Sequence, residues 1–341
     1  MLEKPDLQDD KIVACLQDAY GLLAFQVEFL PLGADVSTAV YRVVTEDDTA
    51  YFIKLRSGVF NEIALTLPKF LSDQGIEAII PPLPSKTGQL WASLDAFKVI
   101  LYPFVEGHDG YEVTLSDCHW EEFGRVLKRV HTVKVPPALI GRIRHESYSP
   151  EWRDAVRSFL ECVEEAVYHD STAIKVATLL KAKRYEILDL VRRADRLAKA
   201  LQAQSSEFIV CHSDIHAGNL LIGGNGAFYI VDWDEPILAP KERDLMSIGA
   251  GLMASGLAPQ EEEDRFYRAY GQTPIDPVAL AYYRYERIIQ DIAEFCKQLL
   301  LTDKGGIDRE QSLRYLKSNF LPENTIEIAY RSDRTLRERG Q

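Results

Sequence analysis

His212-Ser213-Asp214-Ile215-His216-Ala217-Gly218-Asn219 and, at the far end of the same β-rich island, Val231-Asp232-Trp233-Asp234 are the stretch whose reading decides this chain. Asp214 and Asn219 stand five residues apart on a loop that runs into a strand. Leu220-Leu221-Ile222 and Phe228-Tyr229-Ile230-Val231 flank Gly223-Gly224-Asn225-Gly226, a hairpin signature. Folding that hairpin predicts Asn219 beside Asp232. Phosphoryl transfer needs this residue inventory: a carboxylate to orient a hydroxyl and take its proton, oxygen ligands for a divalent ion, and a cation for the phosphates. Amide and carboxylate oxygens are the hard ligands that Mg²⁺ prefers. The plainer alternative is that Asp214 caps a turn and Asn219 and Asp232 bracket an ordinary hairpin.

The N-terminal part supplies the cation. Phe25–Leu30 alternates with period two, Val40–Val44 reads as a second strand and Tyr51–Leu55 as a third, which predicts an antiparallel meander. Lys54 lies inside the third strand, where a lysine needs an anionic partner or an exit to solvent. Glu62, in the helix predicted from about Asn61 to Ser72, is the expected partner. The loop Gly33–Thr38 is placed to cover phosphates, with Gly33 for the turn and the Ser37 and Thr38 hydroxyls as donors; a plain hairpin loop explains it equally. The P-loop pattern G-x-x-x-x-G-K-[ST] does not occur.

A further strand pair is expected at Gln89–Leu94 and Phe97–Phe104, and the polar run Phe104–Gly110 marks a lobe boundary. Beyond Thr114 the pattern is helical, with Thr114 as the expected cap and Trp120, Phe123, Val126, Leu127 and Val130 on one face. Helices are also predicted over Pro150–His169, over Ser171–Gln204 and from Lys241 onward. The fold class is therefore α+β, divided into residues 1–104 and 105–341. The formal charge of -13 argues against a nucleic-acid partner and suits a cationic small molecule, although it also serves solubility alone. No apolar run is long enough to cross a bilayer, which predicts no membrane partner. The five cysteines are widely spaced, so neither a disulfide framework nor a zinc site is expected, and a cytoplasmic location fits.

Phe52-Ile53-Lys54-Leu55, Tyr102-Pro103-Phe104, the 211–219 loop, Asp232-Trp233-Asp234-Glu235-Pro236 and Glu242-Arg243-Asp244-Leu245 together resemble the aminoglycoside phosphotransferase family, relatives of the protein kinases. The likeness is greatest to its branch acting on a cyclitol antibiotic, and includes Tyr148-Ser149-Pro150-Glu151-Trp152-Arg153. The resemblance implies a two-lobed protein-kinase-like fold, a small antiparallel sheet followed by a mainly helical lobe. It implies ATP and Mg²⁺, with Asp214 as catalytic base, Asn219 and Asp232 as metal ligands, and Lys54 on phosphate, held by Glu62. The Tyr102 carbonyl and Phe104 N–H are expected to read adenine, because Pro103 has no N–H to give. His216 either donates to the γ-phosphate or packs the loop. Asp244 is expected to support the catalytic loop as a structural acid. Asp214, Asp234 and Glu235 are the candidate acids for a cationic substrate, with Asp234 placed for either Mg²⁺ or the substrate amines; Trp233, Tyr148 and Trp152 either cover it or fill the core. A metabolic kinase of choline, homoserine or a sugar-like molecule is the alternative on the same fold. A binding module without catalysis would have lost some of Lys54, Asp214, Asn219 and Asp232, and all four are present. A protein kinase is disfavoured, since Asp232-Trp233-Asp234 stands where D-F-G belongs and no A-P-E follows.

Overall fold

A computed structural model describes residues 2–33, 35–302, 305–321 and 325–338. The chain is mixed α+β, with an antiparallel sheet in its N-terminal part and helices in its C-terminal part. It forms two compact units, one of Met1–Asp109 with Asn219–Glu235 and one of Gly110–Gly218 with Pro236–Gln341. A single cut between residues 104 and 105 does not describe them, because the 219–235 hairpin belongs with the first unit.

In the first unit, helix α1 (Asp9–Tyr20) precedes strands β1 (Ala24–Leu30), β2 (Thr38–Thr45) and β3 (Ala50–Ser57). Helix α2 (Ile63–Asp73), β4 (Ala92–Leu94), β5 (Phe97–Pro103) and β6 (Gly107–Asp109) follow. The main sheet has the order β1-β2-β3-β5-β4, all antiparallel. Strand alternation decides its two faces. Ile53 and Leu55 point into a core shared with Tyr41, Val43, Val99, Leu101 and the α1 residues Ile12 and Leu16. Lys54 and Arg56 therefore project from the opposite face, with Lys54 paired across the ladder to Val40 and Ile100. Helix α2 begins at Ile63, whose N–H is taken by the Asn61 side chain at 3.1 Å.

The second unit holds α3 (Asp117–Thr132), α4 (Pro137–Ile140), β7 (Arg144–His145), α5 (Glu151–Glu165), α6 (Ser171–Gln202) and β8 (Ile209–Cys211). The chain then makes a 3₁₀ turn, Ala217–Asn219, and returns to the first unit for the hairpin β9 (Leu220–Gly223) and β10 (Phe228–Ile230). In that unit β9 also pairs with β6, which periodicity did not reveal. Back in the second unit come β11 (Ile237–Ala239), α7 (Glu242–Leu245), α8 (Pro259–Tyr270), α9 (Pro277–Leu300), α10 (Gly306–Ser318) and α11 (Thr325–Glu338). Its core gathers around α9, whose Tyr282, Tyr283, Ile288, Ile289 and Ile292 are buried against residues of α5 and α6. The α3 face is as expected, but Ser116 and not Thr114 caps it, with His119 closing the capping box. Among the described residues no helix is long and apolar enough to cross a membrane.

Candidate active site

In the first unit the hairpin places acids against the β3 cations. The Asn219 carbonyl accepts the Val231 N–H at 3.0 Å, so Val231 stands opposite Asn219 and Asp232 follows one residue further along the chain. Asp232 is held at φ 65°, a left-handed conformation rare for a residue with a side chain, which re-aims its carboxylate at the strand's end. The Lys54 ammonium donates to Asp232 at 2.7 Å and to Asp234 at 2.8 Å. Arg56 binds Asp234 at 2.6 Å. Burial disfavours the charge on Lys54, but the two carboxylates outweigh it and raise its pKa, so it is an ammonium throughout the physiological range. Asp234 moves the other way from an ordinary carboxyl: burial, together with the neighbouring Asp232 charge, raises it despite Lys54 and Arg56.

Glu62, expected on Lys54, is exposed at the start of α2; among the described residues the carboxylates on Lys54 are Asp232 and Asp234. Non-local pairing through the hairpin replaces the local pairing that sequence proximity suggested. Arg56 was missed, although alternation places it on the Lys54 face.

Other expected groups are placed differently. The Phe104 N–H donates to the Ala50 carbonyl at 3.3 Å, extending the β3–β5 ladder. Antiparallel pairs alternate between bonded and non-bonded. The Tyr102 carbonyl, paired with Phe52, therefore also faces β3, and the Pro103 carbonyl turns away from it. Both backbone groups expected at adenine thus face β3, because side-chain alternation does not show which way the backbone groups point. Gly33 has φ 83°. The hydroxyls of Ser37 and Thr38, expected as phosphate donors, bind Asp35 at 2.7 and 2.8 Å. Position 34 of that loop lies outside the described residues. Trp233, expected at the substrate, is buried and donates its Nε1–H to the Ile230 carbonyl at 3.0 Å. Glu235 is exposed.

In the second unit the 211–218 loop is built from beneath. Asp244 on α7 is fully buried and accepts the N–H groups of His212 at 2.9 Å and Ser213 at 2.7 Å. His131 Nε2 meets the same carboxylate at 2.9 Å, and its Nδ1 meets the Tyr270 hydroxyl at 2.8 Å. Asp244 thus supports the loop as expected. Cys211 lies close to His131 and Asp244, but the carboxylate is already engaged by His131 and the two amides. Burial pushes the Asp244 carboxyl up, yet these donors hold it below the usual carboxylate range.

Above this base Ser213 adopts φ 75° and turns Asp214 outward. Asp214 Oδ1 is bound by the Arg287 guanidinium from α9, and Oδ2 faces His216 Nε2 at 3.7 Å. Burial would raise the Asp214 carboxyl; Arg287 and His216 outweigh it and hold it well below the ordinary 3.8. His216 Nδ1 accepts the Gly218 N–H at 3.1 Å, which leaves the ring proton on Nε2, toward Asp214. Its ring stacks on Tyr111, and a Cβ on Gly218 would lie about 3.0 Å from both rings, so a larger residue there would need the rings to shift. Tyr148 and Trp152 pack in the core, Tyr148 against Tyr282 and Tyr283. Arg287 had no signal in the sequence.

Comparison with known proteins now adds to this geometry. The chain matches the phosphotransferase enzyme family (APH) over residues 28–283. It belongs to that family. A search of curated proteins returned no match. Among solved structures, spectinomycin phosphotransferase APH(9)-Ia in complex with ADP and spectinomycin is 36% identical, with 96% of this chain and 99% of that chain covered and a TM-score of 0.88. An amicoumacin kinase (16% identity, 94% and 97% covered, TM-score 0.59) and the choline kinase LicA from Streptococcus pneumoniae (16%, 91% and 99%, TM-score 0.55) share the fold. This family member is a small-molecule phosphotransferase, and nucleotide binding goes with that activity.

Proposed function

We propose that the chain transfers the γ-phosphate of ATP to a hydroxyl of spectinomycin. The observation that carries the reading is the 36% identity, over nearly the full length of both chains, to a phosphotransferase solved with ADP and spectinomycin. In this reading Asp214 orients the acceptor hydroxyl and receives its proton as the O–Pγ bond forms. The Pγ–O bond to ADP breaks, ADP carries away the bonding pair, and the proton passes on to water. A carboxylate held far below neutral pKa is always ionised at the working pH, so its part is chiefly orientation with late proton transfer.

Lys54 moves from its two carboxylates to the phosphates, with Arg56 beside it as a second cation. The donor set fits a divalent ion: a carboxamide at Asn219 and carboxylates at Asp232 and Asp234, the last two gathered on one ammonium. Asn219 and Asp232 would hold Mg²⁺, which when bound would neutralise phosphate charge. The outward Pro103 carbonyl, with the Val105 N–H, is the pair we assign to adenine. An intracellular phosphate donor places the reaction in the cytoplasm, and the acidic chain attracts a cationic antibiotic.

The test is coupled ADP release by the purified protein with MgATP and, separately, spectinomycin, other aminoglycosides, choline and homoserine. Spectinomycin is expected to give the highest kcat/KM. A millimolar or weaker KM for spectinomycin beside a clearly better metabolite would transfer the assignment to metabolism.

A further inference from the structure

We propose that Arg287 is a positioning residue for the reaction: its guanidinium, braced by Asp291, fixes the rotation of the Asp214 carboxylate. The proposal rests on the reading of Asp214 as the base. A carboxyl group turns about its last bond through a broad, shallow potential, so its oxygens point where their partners place them. Here Arg287 binds Oδ1, and His216 Nε2 faces Oδ2 at 3.7 Å. Behind the guanidinium, Arg287 Nε binds Asp291 Oδ1 at 3.0 Å, one helical turn along α9. Both residues stand on the packed helix of this unit, where Ile288, Ile289 and Ile292 are buried. A rigid element therefore grips a side chain on a loop. A planar fork suits this task, because it sets direction as well as charge; an ammonium sets charge alone.

The arrangement also keeps Asp214 ionised. The groups acting on it include Arg287 and His216, with Asp291 behind Arg287 and Glu294 also acting on that arginine. Removing Arg287 would leave the Asp214 and Asp291 carboxylates without the cation between them. The Asp214 pKa would then rise from its depressed value, and the acid limb of the rate profile would follow it upward.

The experiment compares wild type, Arg287→Gln, Arg287→Lys, Asp291→Asn and Asp214→Asn. It measures ADP release with the best acceptor of the panel, nucleotide affinity, thermal unfolding and the pH dependence of kcat. Arg287→Gln is expected to lower kcat roughly 10–100-fold with nucleotide affinity unchanged, and to move the acid limb up by about 1–3 pH units. Arg287→Lys should return the limb towards wild type while kcat stays reduced. Asp291→Asn should lower kcat less than Arg287→Gln does. An unchanged kcat and pH profile in Arg287→Gln would overturn the proposal, as would a loss that is uniform with pH and tracks lost folding. If Arg287→Gln does not fold, Asp291→Asn decides, and wild-type kcat there overturns it. Full activity in Asp214→Asn removes the base reading and this proposal together; an inactive Asp214→Asn beside unchanged Arg287 and Asp291 variants removes this proposal alone.

Discussion

Two clusters of acids and cations, one in each unit, are made of the same ingredients and end in opposite states. In the first, Lys54 and Arg56 share Asp234 while Lys54 also holds Asp232, and burial with the adjacent Asp232 charge lifts the Asp234 carboxyl. In the second, Asp214 is bound by Arg287 and faces His216 Nε2, and these two neighbours hold its carboxyl well below 3.8. An ion pair does not set the protonation of a buried acid by itself; the balance of burial, neighbouring acids and neighbouring donors does. On the function proposed above, adjacent acids suit a site that exchanges its cations for phosphate and a metal ion, and an acid gripped by a guanidinium suits one that must stay ionised and aimed.

Substitutions can break or sharpen this contrast. Asp214→Asn should have the largest effect, a loss of roughly 10²–10⁴-fold in kcat, with nucleotide affinity retained, measured by ADP release and titration. Lys54→Ala should cost roughly 10²–10³-fold in kcat/KM for ATP, since it removes the ammonium common to both acids of the first cluster. Asp244→Ala strips a buried acid from His131 and two amide donors, so unfolding should be easier by about 3–5 kcal/mol, seen in urea melts. Trp233→Phe should cost only about 1 kcal/mol, one lost Nε1–H bond, and leave the acceptor KM unchanged; a large rise in that KM would return Trp233 to the substrate site.

The pH dependence sharpens the contrast as well. A depressed carboxyl contributes stability that is present above its unfolded pKa and lost as pH falls through the folded one. The Asp214–Arg287 pair should therefore hold at pH 5–8 and weaken only below the ordinary carboxyl value of 3.8. Asp234, raised, contributes in the opposite sense: its share is fullest below 3.8 and is lost as pH rises through its folded value. Stability curves of Asp214→Asn and Asp234→Asn against wild type should thus diverge in opposite directions across the acid range.

What could be read from the chain depended on how local its cause was. The meander, the 220–231 hairpin and the α3 face follow from alternation, turn glycines and a 3.6-residue period, and all stand in the structure. Asp244 was legible through the family resemblance carried by Glu242-Arg243-Asp244-Leu245. Lys54 was legible as a strand lysine, but its partners were not, since Asp232 and Asp234 arrive from 178 and 180 residues away. Arg56 was within reach, because alternation sets it on the Lys54 face. Arg287 was not, being one basic residue on an amphipathic helix, 73 residues from the acid it binds. Strands β6, β7 and β11 are too short to show a period. That the Tyr102 carbonyl and the Phe104 N–H face β3 was not legible, because residue alternation fixes side chains, while the hydrogen-bond phase comes from the neighbouring strand.

The most direct measurement is titration of MgATP into Asp214→Asn and Lys54→Ala, beside wild type, by calorimetry. The division of labour between the two clusters predicts wild-type affinity in Asp214→Asn and strongly weakened binding in Lys54→Ala. Weakened binding in the first with intact binding in the second would contradict it.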